Sequence, residues 1–197
     1  TRVLAAFYDG GTKVWDARTG ACDVELKPRR APQAGEEPMA EWSPDGRRVL
    51  TYEFFSQGKP IRTWDAVTGS ALAYIDRPDI SQLWSAEWTP DGRWIVIVGG
   101  HDVHLVSPDS GEIVHVLDPR ENFYSPGLAF SPDGARVLVG LDSGGARIWD
   151  LTVVGDPLQL TGHQGRVHFG VWSHDGQRLV TVSEDKTARV WNASNGK

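Results

Sequence analysis

The chain has 197 residues, a net charge of −6, 40% apolar and 23% charged residues, and one cysteine. It is too apolar for a disordered chain, and no apolar run approaches the 18 residues of a membrane span. Mild acidity argues against a nucleic-acid binder, which needs clustered Lys and Arg, and the lone Cys22 excludes an intrachain disulfide or a cysteine-based metal cluster.

The first seven residues, Thr1 to Phe7, lack the basic start, long apolar stretch and small-residue cleavage site of a secretory signal, as a mature secreted chain also would. With a single cysteine, a reducing compartment is the expectation and the cytoplasm the predicted location. Residues 1–4 align with Arg47-Arg48-Val49-Leu50, which follows the turn Ser43-Pro44-Asp45-Gly46. Pro fixes φ and Gly supplies positive φ, so such tetrapeptides read as turns. The same pattern recurs at Thr89-Pro90-Asp91-Gly92, Ser131-Pro132-Asp133-Gly134 and Ser173-His174-Asp175-Gly176, with aspartates 46, 42 and 42 residues apart. Trp42, Trp88, Phe130 and Trp172 stand directly before these turns. Apolar runs follow them at 49–50, 94–98, 137–139 and 179–182, and Val-, Ile- and Thr-rich runs between turns predict strands.

A second register holds Trp15-Asp16, Trp64-Asp65, a degenerate Val106-Ser107, Trp149-Asp150 and Trp191-Asn192. Gly20, Gly69, Gly111 and Gly196 stand four residues after the Asp position. Strands are predicted to end at this register, as at 187–191, and to follow the glycine, as at 71–75 and 112–117. One more precedes each turn, as at 165–172. Seven of the nine Trp therefore belong to a period near 42 residues, each period being four antiparallel strands with no helical periodicity.

This pattern resembles WD40 repeats, the Trp-Asp β-propeller family, over almost the whole chain. TolB-like and prolyl-peptidase propellers share the Trp-Ser-Pro-Asp-Gly turn, but the Trp-Asp-x-x-x-Gly register favours WD40. The resemblance implies an all-β propeller of four-stranded antiparallel blades. Its expected blades are 1–27 (partial), 38–76, 82–118, 123–161 and 163–197 (partial). The first would lack its innermost strand and the last its outermost, giving 18 strands and an incomplete or oligomer-completed propeller. Closure normally removes sheet edges, so self-association is one expected way to complete it.

In the family, a His, a Ser/Thr, an Asp and the Trp form a buried hydrogen-bond chain within a blade. Here the resemblance assigns His163, Thr181 or Ser183 (Ser183 being the preferred choice), Asp185 and Trp191. Asp9 and Trp15 keep the same spacing in the first repeat. Gly58, Gly100 and Ser143 replace the Asp elsewhere. Blades without the chain must rely on apolar packing, each Trp burying about 150–250 Å², worth several kcal/mol at about 25 cal/mol per Å².

No catalytic or cofactor motif occurs, and neither a cofactor nor a metal is expected. His101-Asp102-Val103-His104 resembles a metal site only superficially, because residues three apart on a strand point to opposite faces. Ser183, His163 and Asp185 could suggest a triad, but the resemblance makes them a structural network.

In WD40 proteins the contact face is built from two loop sets. Here these map to residues 27–39, 76–84, 118–124 and 162–166, and to 9–10, 54–59, 100–102, 141–145 and 184–186. They carry Arg29, Arg30, Phe54, Arg77, Trp84, Arg120, Phe123, Tyr124 and Arg166 as candidate partner-binding residues, Arg and aromatics being the usual anchors. The expected function is a non-catalytic scaffold for a protein or peptide partner. The Ala-, Arg-, Gly- and Asp-rich style resembles bacterial proteins, in which such arrays adjoin effector domains, so a regulatory segment of a signalling enzyme is the alternative. A peptidase cap is a third reading. It requires a cluster of ionisable residues with shifted pKa at the central channel, and the sequence displays none.

Overall fold

Eighteen strands and no helix occupy the described residues of a computed structural model. These residues are 1–8, 11–27, 37–54, 61–76, 83–99, 102–117, 128–153 and 155–197. Five sheets follow one another along the chain. The first is β1 (Arg2–Ala6), β2 (Thr12–Asp16) and β3 (Cys22–Leu26). The second is β4 (Glu37–Trp42), β5 (Arg48–Phe54), β6 (Ile61–Asp65) and β7 (Ala71–Ile75), and the third is β8 (Leu83–Trp88), β9 (Ile95–Gly99), β10 (Asp102–Val106) and β11 (Ile113–Leu117). The fourth is β12 (Leu128–Phe130), β13 (Arg136–Gly140), β14 (Gly145–Asp150) and β15 (Leu158–Thr161), and the fifth is β16 (Val167–Trp172), β17 (Arg178–Ser183) and β18 (Ala188–Asn192). Each strand pairs with its sequence neighbour, so every sheet is an antiparallel meander.

Local chemistry explains the repeat. In each Ser/Thr-x-Asp-Gly turn the hydroxyl accepts an amide from the following strand and donates to the aspartate. Thus the Ser43 hydroxyl accepts from the Arg48 amide at 2.9 Å and donates to Asp45 at 2.6 Å, while Asp45 also accepts the Arg47 amide at 3.0 Å. The serine hydroxyls hold Asp45, Asp133 and Asp175 below the usual carboxylate range, the following amides adding to the effect. The aspartate of the Trp-Asp pair works likewise at the same end of the sheet, where Asp65 lies opposite Arg48. Asp65 accepts the amides of Val67 and Thr68 at 2.9 and 2.7 Å, and Gly69, at φ 72°, then closes the turn. At the degenerate third copy Ser107 takes this place, accepting the Ser110 amide at 3.3 Å.

The chain forms two compact units, Thr1–Gly100 with His104–Val116 and His101–Val103 with Leu117–Lys197. In the first unit, Val14, Leu26, Val49 and Trp64 share one core, and Leu50, Ile61, Ile75, Trp88 and Ile95 another. In the second, Leu138, Ile148, Leu160, Trp172, Leu179 and Trp191 form the core between the fourth and fifth sheets.

Within the units, an arginine joins one sheet to the next by the same geometry at three places. Arg2 stacks 4.8 Å from the Trp42 ring and donates to the carbonyls of Gly46 and Ala66, each at 2.7 Å. Arg48 lies 4.8 Å from Trp88 and donates to Gly92 O at 3.0 Å and to Asp109 at 2.8 Å. Arg136 lies 4.7 Å from Trp172 and donates to Gly176 O at 2.9 Å and Ala193 O at 3.1 Å. The receptor is always the ring before a turn together with that turn's glycine carbonyl.

Loss of such a stack and two charged hydrogen bonds gives the first prediction. Arg136→Ala lowers stability by about 1–3 kcal/mol, whereas Arg178→Ala, at the same place in the fifth sheet, changes it by less than about 0.5 kcal/mol. Urea unfolding followed by Trp fluorescence measures both.

Candidate functional site

The fifth sheet carries a polar chain running through its interior. Trp191 lies opposite Leu179 in the β17–β18 register, so its indole reaches two residues further along β17, on the same face, to Thr181. Its N–H donates to the Thr181 hydroxyl at 2.8 Å, and that hydroxyl lies 2.8 Å from His163 Nε2. His163 Nδ1 meets Asp185 Oδ2 at 2.8 Å. The neutral tautomer with the proton on Nδ1 satisfies every member, the threonine donating to Nε2. Thr181 is fully buried and the His163 side chain is 1% exposed. Asp185 sits well below the usual carboxylate range, held there first by the Thr187 hydroxyl and then by the Gln164 amide and His163.

Ser183 stands outside this chain, which corrects the assignment made from the resemblance. Four residues beyond Leu179, it is past the reach of the indole. Its hydroxyl instead donates to Gly165 O at 2.7 Å and accepts the Asp185 amide at 3.1 Å, fixing the loop that presents the aspartate. The second sheet keeps half of the arrangement without its histidine: Trp64 Nε1 donates to the Thr51 hydroxyl at 2.8 Å, Thr51 lying two residues past Trp64's partner Val49.

The structure also shows a group of ionisable residues that sequence reasoning did not find. Glu41 and Glu87 stand on the inner strands β4 and β8, each directly before the turn-preceding Trp. The Trp88 amide donates to Glu41 at 3.4 Å, and the Ser85 hydroxyl donates to Glu87 at 2.8 Å. Burial pushes Glu41 up to about 7, with the Glu87 charge adding to the rise. Burial likewise raises Glu87 and the neighbouring Tyr52 phenol. The repeated Glu-Trp pair that ends both strands was the available signal, but alternation reads such a Glu as solvent-facing.

Among the candidate partner-binding residues, Trp84 lies in β8 and is half-buried. Arg166 Nε is 2.9 Å from Asp142 Oδ1, and its guanidinium is 4.0 Å from Glu184, so three loop residues are tied together. Phe54 ends β5. The Phe54 side chain and residues Arg29, Arg30, Arg77, Arg120, Phe123 and Tyr124 lie outside what is described, as does His101. Among the described residues, no group of three or more His, Cys, Asp or Glu is placed to hold a metal ion. No described helix is long and apolar enough to cross a membrane.

The family model described as WD domain, G-beta repeat matches residues 126–150 and 156–192. The serine-threonine kinase receptor-associated protein of Gallus gallus is 25% identical over 158 residues, covering 80% of this chain and 43% of that protein. Pre-mRNA-processing factor 17 of Homo sapiens is 20% identical across 98% of this chain and 41% of its own length. Coronin-7 of Homo sapiens is 41% identical over 70 residues, 35% of this chain and 8% of that protein. The chain thus spans less than half the length of these relatives, all of them animal proteins. Among solved structures, the beta-propeller domain of Myceliophteria thermophila Cps50 (Swd1) superposes with a TM-score of 0.71 at 17% identity, over 97% of this chain and 62% of that one.

Two outcomes follow from the buried polar groups. Thr181→Val leaves two buried nitrogens without their shared hydroxyl and costs about 1–3 kcal/mol, and Trp191→Phe costs less in that background than alone, as a double-mutant cycle by urea unfolding will show. For Glu41, both folded and unfolded states hold the proton below about pH 4.5. Between pH 4.5 and 7 only the folded state does, so stability falls as pH rises through that window. Glu41→Gln flattens this fall and, after allowance for partial solvent exposure, leaves the chain more stable by about 1–2 kcal/mol at pH 8, measured by unfolding across pH.

Proposed function

We propose that this chain, a WD40-repeat protein, is a non-catalytic scaffold that presents its loops to a protein or peptide partner. One observation carries the reading. The one His, Asp and hydroxyl constellation that sequence reasoning considered as a triad is turned inward. Both imidazole nitrogens of His163 are taken up by Thr181 and Asp185, and the side chain is 1% exposed, leaving neither nitrogen of this histidine to activate a nucleophile. Its polar chemistry serves to fix a blade, and the loops are left as the variable surface.

The partner-binding residues of this proposal are Arg29, Arg30, Phe54, Arg77, Trp84, Arg120, Phe123, Tyr124 and Arg166. Arg supplies planar, charge-assisted bonds and the aromatics supply buried area, a combination suited to peptide recognition. The Arg166–Asp142 pair supports a preorganised corner of that face, because a guanidinium already oriented loses less freedom on binding. The low cysteine count, one in 197 residues, is in keeping with a reducing compartment such as the cytoplasm.

The test compares proteins recovered with the wild-type chain and with Arg29/Arg30/Arg120→Ala, using quantitative mass spectrometry of cross-linked pull-downs. The expected result is a set of partners depleted at least several-fold by the triple variant. Equal recovery rejects the face.

A further inference from the structure

We propose that the free edge of β11 pairs with β11 of a second copy of this chain, antiparallel and about a two-fold axis through His115. The contact uses neither the first nor the fifth sheet, so it is a different event from completion of a propeller.

Strand β11 ends the order β11-β10-β9-β8, and β10 is its only strand neighbour among the described residues. Its far side is a row of main-chain N–H and C=O groups with no strand to meet them, a ready template for another chain. Its side chains do not guard that edge. Ile113, Val114 and Val116 are 45%, 49% and 44% exposed, His115 is half-buried, and the strand holds no Pro, Gly, Lys or carboxylate.

The outer strands of the other sheets are less receptive. Strand β3 exposes Asp23 and Glu25, with Lys13 and Lys27 at 3.6 and 3.4 Å from the Glu25 carboxylate. Strand β15 exposes Gln159 and Thr161. Strand β7 exposes Leu72 and Tyr74 but has alanine at 71 and 73, so alternate positions offer little to a cross-strand neighbour. Of these four edges, β11 alone is both apolar and β-branched at every exposed position, the composition that favours strand pairing.

Self-pairing follows from the register. In an antiparallel pair, two opposed residues either both turn their N–H and C=O towards each other or both turn them away. This direction alternates along a strand, so a strand facing its own copy must place the two-fold axis on a residue and not between two. Ile113-Val114-His115-Val116-Leu117 is symmetric in character about its centre. An axis on His115 sets Val114 against Val116 and Ile113 against Leu117, and leaves no residue of the strand unpaired. An axis on Val114 would set Glu112 against Val116, and one on Val116 would set Val114 against Asp118. The sequence thus fits itself in one register, and the two four-stranded sheets become one continuous sheet.

Five paired residues span about 17 Å, a small contact, so the dimer is weak and reversible. Each copy carries a charge of −6, while the contact is apolar and main-chain. Salt screens the repulsion and therefore tightens the pairing. Pairing also gives the molecule two copies of its loop face, which raises avidity for a partner with two binding motifs; this consequence alone rests on the scaffold reading.

Sedimentation equilibrium of the full chain tests the pairing. A monomer–dimer equilibrium that tightens with salt is expected. Val114→Lys and Val116→Glu, both at exposed positions, are each expected to weaken it at least about tenfold. A mixture of the two variants is expected to recover the dimer, because the introduced lysine and glutamate then lie opposite each other. Val190→Lys, on the exposed face of the fifth sheet, is expected to leave it unchanged. A chain that stays monomeric at every concentration, a dimer indifferent to Val114→Lys, or a mixture that fails to recover overturns the proposal. Loss of the dimer on Val190→Lys overturns it in favour of propeller completion. Amide exchange of the original chain needs no variant to fold: β11 amides are expected to slow as concentration rises, and exchange independent of concentration overturns the proposal.

Discussion

The stack of an arginine on a turn-preceding tryptophan is the contact on which the arrangement of neighbouring sheets depends. A single meander of three or four strands has two faces and can bury neither alone. Apolar contact between two such sheets is strong but has little directional content. A guanidinium adds direction, because its plane must lie over the indole while its N–H groups find a carbonyl of the neighbouring turn. In the junctions made by Arg2, Arg48 and Arg136 that carbonyl is always the turn glycine. The turn thus serves two ends: it reverses its own chain, and it offers the acceptor that sets the distance to the preceding sheet. Lysine could not replace it, since a point charge cannot stack and fork at once.

Close approach imposes a matching demand on the opposite surface. A Cβ at Gly140 would stand 2.5 Å from the carbonyl oxygen of Val167, so the fourth and fifth sheets meet where no side chain can fit. Polar networks play a secondary part in this packing. The full Trp-Thr-His-Asp chain exists in the fifth sheet, the second keeps Trp64 and Thr51 alone, and the third has Val106 where the others have Trp. All three are compatible with one fold because a satisfied polar network and a well-packed apolar substitute contribute similarly, whereas a half-satisfied one does not. The second sheet dropped the histidine and aspartate but kept a hydroxyl for the indole N–H that remained.

Much of this was legible in the sequence. The 42-residue period, the two Trp registers and the glycines four residues past the Asp position gave the strand number and the sheets in which 18 strands pair. These signals are local, depending on turn chemistry and on alternation within a few residues. The arginine junctions were not legible, because a single Arg after a turn reads as solvated surface until a ring 40 residues away is known to sit beneath it. Glu41 and Glu87 were hidden for the same reason: their burial comes from the neighbouring sheet. Thr181 and Ser183 share a face of β17, and only the pairing of Trp191 with Leu179 separates them.

This division between local and long-range information bears on how the chain divides its labour. Residues identifiable from spacing, the turn serines and aspartates, the Trp and the positive-φ glycines, are consumed in building and joining blades. In the described sheets, the histidine and aspartate that could have carried chemistry are consumed as well. The surfaces left over differ in character. The loops hold charged and aromatic residues free of any repeat constraint, the conditions under which a binding face can vary while the frame beneath stays fixed. The outer face of β16–β18 is the reverse: it is apolar, and its residues sit at fixed positions of the repeat register.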